Sequence, residues 1–97
     1  MDAKDVKYMN EDFEEAVKSS KENFDDWQER FGKNTYGSHE LMDRVYVLYE
    51  NWETYVLSHP TTSLDKSLYE KAWKINKAMA DFYQEVGRWD CPEEEKK

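Results

Sequence analysis

The sequence predicts an all-α protein of three amphipathic helices, and three observations carry that expectation. Apolar residues recur at alternating spacings of four and three along most of the chain, which is the period of one helix face. Only three Gly and two Pro are present, mainly where that period breaks, so they act as punctuation between helices. Charged residues make up 37% against 38% hydrophobic, a balance that leans toward disorder, but four Trp, seven Tyr and four Phe restore the apolar area that folding needs.

The first helix is expected over about 10–31. Asn10 is its predicted N-cap, Phe13, Val17, Ser20, Phe24, Trp27 and Phe31 form its stripe, and Gly32 stops it. The second is expected over 38–59, after a Tyr36-Gly37-Ser38 turn in which Ser38 caps. Its stripe is Leu41, Val45, Leu48, Trp52, Tyr55 and His59, ended by Pro60. The third is expected over 63–86, capped by Thr62 or Ser63, with Leu68, Ala72, Ile75, Met79, Phe82 and Val86 running to Gly87. Short links predict an antiparallel hairpin of the second and third helices, preceded by the first, in a single domain spanning 1–97 with an acidic tail over 90–97.

A second apolar line, Met42, Tyr46, Tyr49 and Val56, adjoins the first on helix two, and Tyr69, Trp73, Ala80 and Tyr83 form a weaker one on helix three. Such a wide apolar arc fits either a closed three-helix bundle or a hairpin that oligomerises through its second face; a homo-oligomer is the expectation adopted.

Twenty-two acids against fourteen bases give a net charge of -8, which opposes attraction to duplex DNA or to an anionic membrane surface. The one cysteine, Cys91, excludes an intrachain disulfide and a Cys-rich metal site, so a reducing cytoplasm is the expected setting. The N-terminus lacks a signal-like apolar region and no stretch is long enough to span a membrane. No cofactor is expected.

Functional residue types are densest at the start of helix two. His39 and Asp43 lie one turn apart, as do Glu40 and Arg44, beside Tyr36 and a helix N-terminus that attracts anions. The plain alternative is an ordinary exposed Glu40–Arg44 pair with polar decoration of the first turn. On helix three, Lys71 and Lys74 beside Trp73 suit a phosphate with a stacked base, against the alternative of solubilising surface charge. The candidate ligand-binding set is therefore Tyr36, His39, Glu40, Arg44, Lys71, Trp73 and Lys74, with no catalytic residue and no metal ligand assigned.

A zinc site would need a partner for the His39-Glu40-Leu41-Met42-Asp43 fragment, and the only other histidine, His59, lies about 30 Å along the same helix. Carboxylates spaced by three, Glu11/Glu14, Glu22/Asp25, Glu40/Asp43 and Glu50/Glu53, could bind Mg²⁺ as in all-α nucleotide pyrophosphatases, but so acidic a chain supplies such pairs by chance. Helix one presents Glu11, Asp12, Glu14, Glu15, Glu22, Asp25, Asp26 and Glu29 mostly off its stripe, an acidic face able to imitate nucleic-acid phosphates.

In YGSHELMDR from Tyr36, His59-Pro60 and YQEVG from Tyr83, the chain resembles small helical proteins of phages and prophages carrying the order YG-[CS]-HE, HP, YQ-x-[VI]-G. The resemblance covers about residues 36–87 and implies a phage accessory protein in the host cytoplasm that counters host defence. The expected function is sequestration of a nucleotide-derived immune signal in an oligomer. Two alternatives stand beside it: an acidic-surface inhibitor of a basic site on a host protein, and a Mg²⁺-dependent nucleotide pyrophosphatase.

Overall fold

A computed structural model describes residues 1–90, and among them every regular element is helical. The expected tail over 90–97, Asp90 apart, and Cys91 lie outside the described residues. The chain divides into two compact units, Met1–Arg30 and the residues from Phe31 onward, and each is described by itself.

The first unit holds α1, Ala3–Asn23, and most of α2, Trp27–Phe31. Helix one therefore starts earlier than Asn10 and is interrupted. Asp2 takes the capping role, its carboxylate accepting from the Asp5 N–H at 2.9 Å, so the helix begins where a local acceptor meets its free donors. At the other end Phe24 adopts an extended φ of -138°, and the break falls at Asp25-Asp26, residues whose side chains compete for backbone donors and favour turns. None of the residues of α1 is buried. Phe13, at 64% exposed, stands on the predicted stripe and is not covered.

The second unit is a helical hairpin. Its first helix, α3, spans Tyr36–Asn51 and is started by a reciprocal cap: the Thr35 hydroxyl accepts from the Ser38 N–H at 3.2 Å, and the Ser38 hydroxyl accepts from the Thr35 N–H at 3.0 Å. Ser38 is thus inside the first turn and Thr35 is the cap, a correction of the expected start. Asn34, at φ 60°, turns the chain into this cap, and asparagine is among the few residues that hold a left-handed conformation without a large penalty. The axis continues beyond α3 as a π-helical turn, Trp52–Leu57. A single 3₁₀ turn, Thr62–Leu64, then leads to α4, Lys66–Asp90. Here Asp65 supplies the cap, accepting from the Leu68 N–H at 2.9 Å, in place of Thr62 or Ser63. The Thr62 hydroxyl instead donates to the Val56 carbonyl at 2.6 Å and fastens the connection to the π turn. Gly87 does not end the helix, which runs on to Asp90.

The antiparallel pairing of α3 with α4 is fixed along its length. Tyr46 and Tyr83 meet with ring centroids 5.8 Å apart, the Asn76 amide donates to the Glu53 carboxylate at 3.4 Å, and the Trp52 indole N–H donates to the Ala72 carbonyl at 3.0 Å. Ala72 has no side chain beyond Cβ, which lets the indole reach that backbone. Val45, Ala72 and Val86 are the buried apolar residues, with Ser38, Thr62 and Asn76 buried among the polar ones.

The two apolar lines on α3 are used differently from the expectation. Met42, Tyr49 and Val56 are half-buried inside the hairpin, while Leu41, Leu48 and Tyr55 of the main stripe are exposed. The reason is geometric: contact with a single neighbour centres on the arc between the two lines, so the main stripe is split and its outer half is left in water.

The Thr35–Ser38 cap predicts a measurable contribution to stability. Thr35→Ala should lower the unfolding free energy by about 1 kcal/mol, read as a lower urea midpoint with an unchanged slope. An unchanged midpoint would show that the cap does not hold α3 in place.

Candidate functional site

The N-terminal half of α3 and the C-terminal half of α4 bound an open cleft of about 500 Å³. Gly37 and Ser38, both buried, bring the backbone of the first turn of α3 to its base. Phe31 and Leu41 form one part of the apolar wall, and Phe82, Val86 and Trp89 form the other. Glu40, Arg44 and Glu85 supply its charge. The end of the cleft is tied shut from outside: the Asn34 N–H donates to the Trp89 carbonyl at 2.7 Å, and the Lys33 ammonium lies 5.0 Å from the centre of the Trp89 ring.

Arg44 donates to the Glu40 carboxylate at 3.0 Å, and Arg88 donates to Glu85 at 2.7 Å. Both pairs are solvated, the Arg44 side chain being 72% exposed, so each holds its partners by less than about 1 kcal/mol and yields to a better anion. The Arg44 guanidinium is accordingly an exposed donor at the rim of an aromatic wall.

The structure brings together only part of the predicted set. Glu40 and Arg44 line the cleft, whereas Tyr36 is 79% exposed and neither it nor His39 is part of the wall. His39 faces Asp43, with Nε2 at 3.6 Å from the carboxylate. Lys71, Trp73 and Lys74 lie toward the other end of α4, about 20 Å from Val86 by helical rise, so within one chain they cannot share a ligand with Arg44. Lys74 is paired with Glu70 at 3.0 Å and Trp73 is half-exposed.

The cleft also contains residues that the sequence reading did not select, chiefly Phe31, Phe82, Glu85 and Trp89. A signal for Trp89 existed, since it lies seven residues after Phe82 and continues the stripe beyond the expected stop at Gly87.

Among the described residues no three His, Cys, Asp or Glu side chains are placed to hold a metal ion. Glu50 is engaged by the Tyr46 hydroxyl at 3.0 Å and Glu53 by Asn76, while the His59 Nδ1 accepts from the Thr61 N–H at 3.0 Å in the turn. No helix among the described residues is long and apolar enough to cross a membrane. Comparison of the chain with protein-family models, with curated proteins and with solved structures finds no match.

Tyr46 ionises above the usual value of 10.0, first through its hydrogen bond to Glu50 and then through the charge of that carboxylate, which opposes a phenolate. The folded protein therefore holds this proton more tightly than the unfolded chain. The contribution is present below the ordinary tyrosine range and is lost as pH rises through the higher folded value. In Glu50→Gln the Tyr46 ionisation should move down toward 10.0, visible as an earlier rise of tyrosinate absorbance that Tyr46→Phe removes. Superimposable titrations of Glu50→Gln and the unaltered protein would contradict the assignment.

Proposed function

We propose that the chain is a phage-type accessory protein that counters host defence by binding rather than by catalysis, sequestering a small nucleotide-derived signal within an oligomer. The observation that supports this reading is the cleft between α3 and α4, where an aromatic and aliphatic wall of Phe31, Phe82, Val86 and Trp89 stands beside the Arg44 guanidinium. A planar base finds apolar and ring contact there, and a phosphate finds a fork of donors whose present partner, Glu40, is held weakly. The volume of about 500 Å³ falls within the size of small-molecule sites.

A second reading is favoured by the first unit, where Glu11, Asp12, Glu14, Glu15 and Glu22 of α1 are followed by Asp25 and Asp26 in the break and Glu29 in α2, and where no residue of α1 is buried. An acidic surface of that kind is available to occupy a basic groove on a host protein. Reversing Glu22, Asp25, Asp26 and Glu29 to Lys separates the two readings. Loss of host-protein inhibition with small-ligand binding retained would favour the acidic helix, and the opposite pattern the cleft.

Titration calorimetry with cyclic dinucleotides and ADP-ribose derivatives tests the main proposal, and a ligand-induced change in Trp fluorescence that is lost in Trp89→Phe places the ligand at Trp89. Arg44→Ala should cost about 2–4 kcal/mol of affinity while leaving helicity nearly intact. A sharp fall in melting temperature with affinity unchanged would instead make Arg44 a structural clamp.

A further inference from the structure

The half of the apolar stripe that the hairpin leaves in water has a regular arrangement. On α4, Leu68, Ile75, Phe82 and Trp89 follow one another at intervals of seven and are 46%, 46%, 51% and 45% exposed. On α3, Leu41 and Leu48 share the interval, at 44% and 62%. In an antiparallel pair of helices, positions offset to the same side of both contact lines fall on one face, and Leu41, Phe82 and Trp89 do share the wall of one cleft. An interval of seven is the spacing of a seam that receives another helix.

Between the apolar positions of α4 stand Lys71, Ala78 and Glu85, again seven apart. The whole row is a charge palindrome centred on Ala78. Turned end over end and laid on itself, it places Ala78 opposite Ala78, where the small side chains permit the closest approach, and Lys71 opposite Glu85, with Ile75 within one residue of the level of Phe82 and Leu68 within one residue of that of Trp89. We infer that α4 packs antiparallel against α4 of a second copy about a two-fold axis near Ala78, so that two hairpins close into a four-helix bundle.

Three further observations agree with a second copy as the occupant. Lys71 has no ion-pair partner within its own chain among the described residues, and it is separated from Glu85 by about 21 Å of helix, so the two can meet only between molecules. The contacts Tyr46–Tyr83 and Glu53–Asn76 bracket the middle of the hairpin and set Leu48 within about one turn of the level of Ala78, so one axis serves both helices. The half-exposed side chains of the face offer on the order of 600 Å² per copy, close to the roughly 800 Å² per partner of a standard interface once flanking residues are added. The arrangement is isologous, as a two-fold dimer requires. The inference does not rest on the ligand reading and draws on part of the same surface, since Leu41, Phe82, Glu85 and Trp89 also line the cleft, so the dimer is tested without ligand.

Sedimentation equilibrium of the full chain, without ligand, tests the inference. The unaltered protein should be dimeric at tens of micromolar. Lys71→Glu or Glu85→Lys alone should weaken the dimer about tenfold or more by setting like charges against each other at both symmetry-related places. The double variant K71E/E85K should return to within about threefold of the starting affinity, because the palindrome is restored with its signs exchanged. In a Cys91→Ser background, Ala78→Cys should form a disulfide-linked dimer on mild oxidation. Circular dichroism confirms that each variant keeps its helices. A monomer at a concentration of about 100 μM, whether or not the face is covered from within the chain, would overturn the inference. So would additive damage in the double variant, or a dimer that the Ala78→Cys thiols cannot link. Failure of Arg44→Ala to alter ligand affinity would leave these measurements untouched.

Discussion

Two helices in contact can hide from water only the strip between them, and every other feature of the second unit answers to that limit. Among the described residues Val45, Ala72 and Val86 are its buried apolar side chains, Met42, Tyr49 and Val56 are half-covered, and Leu41, Leu48, Ile75 and Phe82 remain exposed. With so thin an apolar strip, the hairpin draws its specificity from directional contacts: the Trp52 indole on the Ala72 carbonyl, Asn76 on Glu53, and the reciprocal cap of Thr35 and Ser38. A buried asparagine is a poor source of stability but a good selector of register, since sliding the helices by one position would separate its amide from Glu53. The Asn34 N–H on the Trp89 carbonyl performs the same task at the far end.

The same limit creates the exposed apolar surfaces of the second unit. A hairpin that covered its whole stripe would have no cleft between Leu41 and Phe82 and no row of large side chains along α4. The apolar wall and the rim guanidinium of Arg44 thus belong to one surface. Charge is distributed accordingly. The first unit carries a long run of acids on a helix with no buried residue, while α4 mixes both signs in pairs such as Lys74–Glu70, Lys77–Asp81 and Arg88–Glu85. Interspersed signs of that kind keep an apolar row soluble without a strong field that would repel a like surface.

Much of the helical pattern was legible in the residues, because spacings of three and four identify a helix wherever they persist. The hairpin of α3 and α4 followed from Pro60 and the short link around it. The boundaries were less legible, since capping depends on backbone conformation: Asp2, Thr35 and Asp65 compete with Asn10, Ser38 and Ser63, and all are residue types that can cap. Gly87 was a false stop, for a glycine inside a helix costs only about 1 kcal/mol and α4 runs through it to Asp90. At the site, the pairing of Glu40 with Arg44 was readable from their spacing. Their placement beside Phe31, Phe82 and Trp89 was not, because it depends on which arc of α3 faces α4.

The π-helical turn at Trp52–Leu57 carries a consequence for how such chains diverge in length. A π turn holds one residue more than the α-helical path it replaces, as if a single amino acid had been inserted without breaking the axis. A relative with an unbroken α-helix here would be one residue shorter, with the same hairpin and the same face toward its neighbour. The gap in an alignment of the two would then fall inside a helix, next to Trp52, and not in the loop at Pro60 where insertions are ordinarily sought.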